Sequence, residues 1–242
     1  MLNGVVIATE EGTPQGGPLS PLLANIMLDD LDRLLEQRGH RFCRYADDCN
    51  IYVRSQRAGE RVMSTVRRFI EGRLGLKINE AKSKVDRPRN RKFLGFSFFR
   101  RNGIQIRVAP KSIERFKKRV REITARSNGW SMERRIAVLC VYLSGWLQYF
   151  RLAETPSVYR DLDGWVLRRL RLCQWKQWKC VRTRLRELRA LKLKERHALE
   201  LASSRKAYWR IAGAPLSSAL PRRYWTARGF AGLSERFALS VR

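Results

Sequence analysis

Apolar positions recur every three or four residues from residue 21 to about 37, where Leu23, Ile26, Met27, Leu31, Leu34 and Leu35 share one helical face. The pattern predicts a helix with Ser20 as its cap, Pro21 at its first position and Gly39 as its stop. "RFCRYA" and "CNIYV" follow, two short runs rich in aromatic and β-branched residues. They predict a β-hairpin with Asp47 and Asp48 at its tip. Helical spacing returns with Val62, Val66, Phe69 and Ile70, and Gly75 lies beyond its end. "LKIN", residues 76–79, predicts a short strand, and "KFLGFSFFRRNGIQIRVA" a second hairpin turning at Asn102-Gly103.

Beyond Pro110 the pattern is helical only. Ile113, Phe116, Val120 and Ile123 mark one helix, and Ile136, Leu139, Cys140, Leu143, Leu147 and Phe150 a longer one capped by Ser131. Trp146 and Tyr149 are expected in its core, while Trp175 and Trp178, similarly spaced, could pack or stack. A further helix runs from Ser157 through "KERH", broken once or twice, and the tail from Ala212 is irregular between short helices. The fold class is α+β: a first unit with strands and helices, then helices alone.

Charge changes this picture. The chain has 51 Lys and Arg against 22 Asp and Glu, a net +29. Residues 101–242 hold 33 of the cations and only 10 of the anions, and all seven tryptophans. A polyanionic partner follows from such a surplus, and the break in composition near residue 105 suggests two units with different tasks. Five scattered cysteines without a CxxC pair, and two histidines, support neither a disulfide framework nor a zinc site. No apolar run approaches a membrane span and the N-terminus lacks signal-peptide character, so a reducing cytoplasm is the expected location.

Adjacent aspartates in a turn commonly do no more than bond to local backbone and stay solvated. Here aromatic and β-branched runs crowd the pair from both sides, which forces a short turn and holds two like charges together. A hard cation such as Mg²⁺ suits them, since it binds through one or two carboxylates together with substrate phosphates. In so basic a chain, nucleic acid or nucleotide is the expected phosphate source.

Tyr45-Ala46-Asp47-Asp48 resembles the catalytic palm motif of reverse transcriptases. "GTPQGGPLSPLLANIMLDDLD" before it, and "LGLKINEAKSKV" and "FLGFSFF" after it, resemble the neighbouring palm motifs of the group II intron reverse transcriptases, in the same order. "YLSGWLQYFR" and the basic tail resemble the maturase-specific region, or domain X, of those proteins. The resemblance extends from about residue 10 to 235.

By this resemblance Asp47 ligates catalytic Mg²⁺ and Asp48 supports the site. Gln15 and Gly16 lie against the incoming nucleotide and template, and Lys82 approaches the nucleotide phosphates. Phe93, Leu94, Gly95 and Phe96 press on the primer end as a primer grip. Residues 1–108 are then a partial palm, 109–155 thumb-like helices and 156–242 the basic maturase region. The implied partners are group II intron RNA, an RNA template with a DNA primer, and dNTP, in a cytoplasmic, nucleoid-associated ribonucleoprotein without membrane contact.

The chain departs from the family in three respects. No Asp precedes Asp29 to supply the family's upstream strand carboxylate, the motifs that build the fingers are missing, and no endonuclease cysteines and histidine follow the tail. A truncated reverse transcriptase that does not synthesise DNA alone is the expectation; the alternative is a maturase that binds intron RNA without polymerising. The maturase-like tail argues against a retron or CRISPR-associated relative. Lysines and arginines on a helix are most often a solvated face, but residues 165–196 hold twelve of them against two Glu. RNA is the partner such a run fits, with Arg168, Arg169, Arg171, Lys176 and Lys179 as candidate contacts.

Overall fold

The computed structural model describes residues 17–100 and 103–240, so Gln15, Gly16 and Asn102 lie outside the described residues. The chain divides into two compact units, the first running to Phe93 and the second from Leu94.

In the first unit, helix α1 (Ser20–Gln37) leads into an antiparallel hairpin of β1 (Arg41–Tyr45) and β2 (Asp48–Tyr52), followed by helix α2 (Gln56–Gly72). Gly39 stops α1 at φ 65, where its N–H bonds Glu36 and that of His40 bonds Leu35, the paired bonds of a Schellman end. Ser55 caps α2 by accepting from the Ala58 N–H at 3.2 Å. Leu31, Leu35 and Val66 are buried, with Phe42, Cys49 and Ile51 of the hairpin and Val62, Phe69 and Ile70 of α2 packed around them.

Three expectations need correction here. Ser20 is the first helical residue, and Leu19 occupies the cap position without a side-chain cap bond. "LKIN" is not a strand: among the described residues it has no ladder partner, and the Leu76 N–H is spent on the Ile70 carbonyl at the end of α2. Only the C-terminal half of α1 is core, because Leu23, Ile26 and Met27 stay exposed beside Leu19 and Leu22.

The second unit opens with a hairpin, β3 (Phe96–Arg100) and β4 (Ile104–Val108), whose turn includes Gly103 at φ 122. Helices α3 (Pro110–Ile123), α4 (Met132–Phe150) and α5 (Pro156–Gln177) follow, then α6 (Val181–Ala190) and α7 (Glu195–Ala202). Four short helices complete it: α8 (Tyr208–Ile211), α9 (Ala214–Ser217), α10 (Arg222–Thr226) and α11 (Leu233–Ser240). The run predicted from Ser157 is thus broken twice, at residues 178–180 and 191–194, where Lys192 adopts φ 58.

One large core unites these helices, with Phe116, Leu139, Leu143, Leu170, Trp175 and Trp225 buried. Trp175 and Trp178 pack edge to face inside it, their rings 6.0 Å apart. The β3–β4 hairpin packs with the helical unit through Phe96, whose ring meets Tyr149 at 5.9 Å and Phe150 at 5.1 Å. Glu154 ties β4 down at both ends of one residue, accepting from the Ile106 N–H and donating its own N–H to the Ile106 carbonyl.

Buried arginines hold this unit's joints. Arg135, 3% exposed, donates to the carbonyls of Ile123 and Ala125 at the C-terminus of α3, where cations suit the helix dipole. The carboxylate of Asp163, 1% exposed, accepts from the N–H groups of Leu233 and Ser234 and from Arg222, and so docks the N-terminus of α11 on α5.

Candidate active site and nucleic-acid interface

Tyr45 pairs with Asp48, which leaves Ala46 and Asp47 as a two-residue turn. Such turns need positive φ at the first central residue, and Ala46 supplies it at φ 50. The left-handed region costs a residue with a Cβ about 1–2 kcal/mol. Arg44 holds the turn in this state. Its Nη1 donates to the Ala46 carbonyl at 3.0 Å and to Asn25 at 2.9 Å, while Nε and Nη2 reach Asp32 at 2.9 and 2.6 Å. Hydrogen bonding to Asp32 holds the Arg44 guanidinium above its usual pKa against the effect of burial.

Strand alternation turns Phe42, Arg44, Cys49 and Ile51 toward the helices. Asp48 shares the opposite face of the hairpin with Cys43, Tyr45 and Asn50, and both aspartates are exposed. Two adjacent carboxylates open to water form a donor set suited to a hard divalent cation. Among the described residues no group of three His, Cys, Asp or Glu side chains is assembled. The aspartates of α1 are engaged elsewhere, Asp29 with Arg33, Asp30 with Arg73 and Asp32 with Arg44. Lys82 is exposed in a turn fixed by its own N–H to Asn79 and by Arg91, which donates to its carbonyl.

In the predicted primer-grip segment, Leu94 and Gly95 form a tight bend with φ 49 and 81. The Tyr149 hydroxyl donates to the Leu94 carbonyl at 3.0 Å, and the Ser112 hydroxyl to the Gly95 carbonyl at 2.9 Å. The bend is therefore fastened to the N-terminus of α3 and the C-terminus of α4. Tyr149 is exposed rather than the core residue its spacing predicts, and its work is done by the hydroxyl.

The five cations singled out on α5 and after it divide in two. Arg171 is 9% exposed and donates to the Ala212 carbonyl. Arg169 turns inward to the hydroxyl and carbonyl of Thr124 at 2.9 Å. Burial lowers the pKa of both; Arg121, Arg126 and Arg135 add repulsion at Arg169, and Arg168 at Arg171. Arg168 fastens α8, donating twice to the Trp209 carbonyl at 3.1 and 2.8 Å. Lys176 and Lys179 remain at the surface. The sequence pattern flags neither Arg44 nor Asp32, although an arginine at a core-facing strand position implies a partner.

Residues 2–98 match the family model of reverse transcriptase (RNA-dependent DNA polymerase), and residues 113–191 match the maturase-specific domain of group II introns. Protein YkfC of Escherichia coli (strain K12) is 33% identical over 34% of this chain. The matched region spans 30% of that relative's length. No helix among the described residues is long and apolar enough to cross a membrane. A reverse-transcriptase segment carrying an aspartate pair on a strapped turn, followed by a maturase-specific domain, places this chain in the family of group II intron reverse transcriptase/maturases.

Proposed function

We propose that this chain serves as palm and maturase portion of an RNA-directed DNA polymerase of the group II intron type, and that its own contribution is to bind group II intron RNA. The observation that carries the reading is the surplus of cations in the helical unit, where Lys176, Lys179, Arg121 and Arg126 are exposed and pair with no carboxylate among the described residues. Neutralising phosphates releases counterions, so affinity should fall steeply with salt.

Asp47 and Asp48 would hold Mg²⁺, which supplies charge neutralisation for phosphoryl transfer when bound. Two carboxylates, all that the described residues assemble there, make a weak site, so the chain alone binds RNA without extending a primer, in a cytoplasmic, nucleoid-associated ribonucleoprotein. RNA template, DNA primer and dNTP would be the substrates of the polymerase reaction.

The test pairs two measurements on the purified chain. Intron RNA should bind with a strongly negative slope of log affinity against log salt, and Asp47→Asn should leave that binding intact. Primer extension with RNA template, dNTPs and Mg²⁺ should be absent. Extension abolished by Asp47→Ala would overturn the non-polymerising part, and salt-independent affinity the electrostatic part.

A further inference from the structure

All seven tryptophans lie in the second unit's described residues, and six are buried or half-buried. Trp209 alone is exposed, at 38%. An indole more than a third exposed where a large core is available calls for a reason. It sits on the four-residue α8, which Arg168 and Arg171 anchor to α5 through the carbonyls of Trp209 and Ala212. The Arg168 guanidinium also stacks on the indole, 4.1 Å from its centroid. Backbone and ring are therefore both fixed before any ligand arrives, which reduces the ordering cost of binding.

The surroundings are cationic and aromatic in alternation. Arg126 lies 4.9 Å and Lys176 5.7 Å from the ring of Tyr208, next in sequence to Trp209. One turn before Arg168 on α5, Trp165 lies under Arg121 at 5.5 Å. Arg169 holds the C-terminal end of α3 to α5 by donating to the carbonyls of Arg121 and Thr124. None of these cations pairs with a carboxylate among the described residues; the nearby Glu122 is taken by Arg119.

We propose that this face grips unpaired RNA, with Trp209 as a stacking platform for one base and Arg121, Arg126 and Lys176 as phosphate contacts. The proposal rests on the RNA-binding reading above and narrows it to a single-stranded segment. An indole face can stack only on a base that is not already stacked in a helix, whereas a purely electrostatic surface favours the higher charge density of a duplex.

The experiment compares binding of the full chain to a short oligouridylate and to a blunt RNA duplex of equal length. Trp209→Ala should weaken oligouridylate binding roughly 5- to 100-fold, leave duplex binding unchanged and leave the salt slope unchanged. Trp209→Phe should retain most of the affinity. Arg126→Gln should weaken both RNAs and flatten the salt dependence.

Unchanged oligouridylate binding by Trp209→Ala, or equal loss of both RNAs by a variant that melts like the parent, overturns the platform. If Trp209→Ala fails to fold, Trp209→Leu against Trp209→Phe repeats the comparison with the same criteria. Failure of the parent chain to bind either RNA refutes the RNA-binding reading itself, a distinguishable result.

Discussion

Arg44 donates to both carboxylate oxygens of Asp32 and, with its remaining nitrogen, to the carbonyl of Ala46. The two side chains are largely sheltered from solvent. A helix residue thereby governs a turn whose next residue is Asp47.

Asp32→Asn should lower the stability of the first unit by about 1–3 kcal/mol, the range for hydrogen bonds to charged groups. Arg44→Lys should do the same, because an ammonium cannot span three acceptors in one plane. A urea melt of each variant checks this. Midpoints equal to that of the parent chain would show that the strap contributes nothing.

Gly95→Ala tests the second tight bend. A Cβ there would stand 3.0 Å from the Ser112 hydroxyl and 3.2 Å from the Phe150 ring, at a φ of 81. The backbone cost alone is about 1–2 kcal/mol. Thermal melting should show a lower midpoint, and Gly103→Ala, with open space around it but a φ of 122, should lower it through the backbone alone.

Arg169→Gln and Lys176→Gln should separate stability from binding. The first leaves the Thr124 carbonyl short of a donor and costs about 1–3 kcal/mol with little change in salt slope. The second should leave stability unchanged and reduce the slope against single-stranded RNA by roughly 0.7. The opposite pattern would place Arg169 at the interface.

Thiol reactivity should follow the electrostatics. Hydrogen bonds from Thr183 and from the backbone at the start of α6 lower the pKa of exposed Cys180, whereas burial raises that of Cys173 and pushes Cys49 up to about 11. Since the thiolate is the nucleophile, iodoacetamide near neutral pH should modify Cys180 well before Cys49 or Cys173, as mass spectrometry of the peptides would show. Cys49 holds its proton more tightly folded than unfolded. Its contribution to stability is therefore full below pH 9 and is lost progressively as pH rises through about 11.

Local rules carried the sequence reading far. The 3.6-residue spacing located α1 to α5, and the aromatic and β-branched runs located both hairpins. What they could not give was the company each residue keeps. Leu23 and Leu31 occupy the same predicted stripe, yet only Leu31 meets the hairpin. Arg168 and Arg171 looked alike in a cationic run, and each instead fastens a carbonyl some forty positions away. Tyr149 and Leu94 belong to separate motifs, and nothing in either predicts the bond between them. The place of the aspartate pair at the hairpin tip was legible because a tight turn is set by its immediate neighbours.

The docking of α11 on Asp163 has a consequence for how this chain tolerates shortening. A polypeptide stopped near residue 230 would lose the buried Leu233 and the Phe237 ring that packs on Tyr159, and would leave the buried Asp163 carboxylate with Arg222 but without the two amide hydrogens that also meet it. The last helix is thus a keystone of the second unit rather than an appendage. Soluble yield and protease resistance of such a truncation, set beside Asp163→Asn, would show whether the arch stands without it.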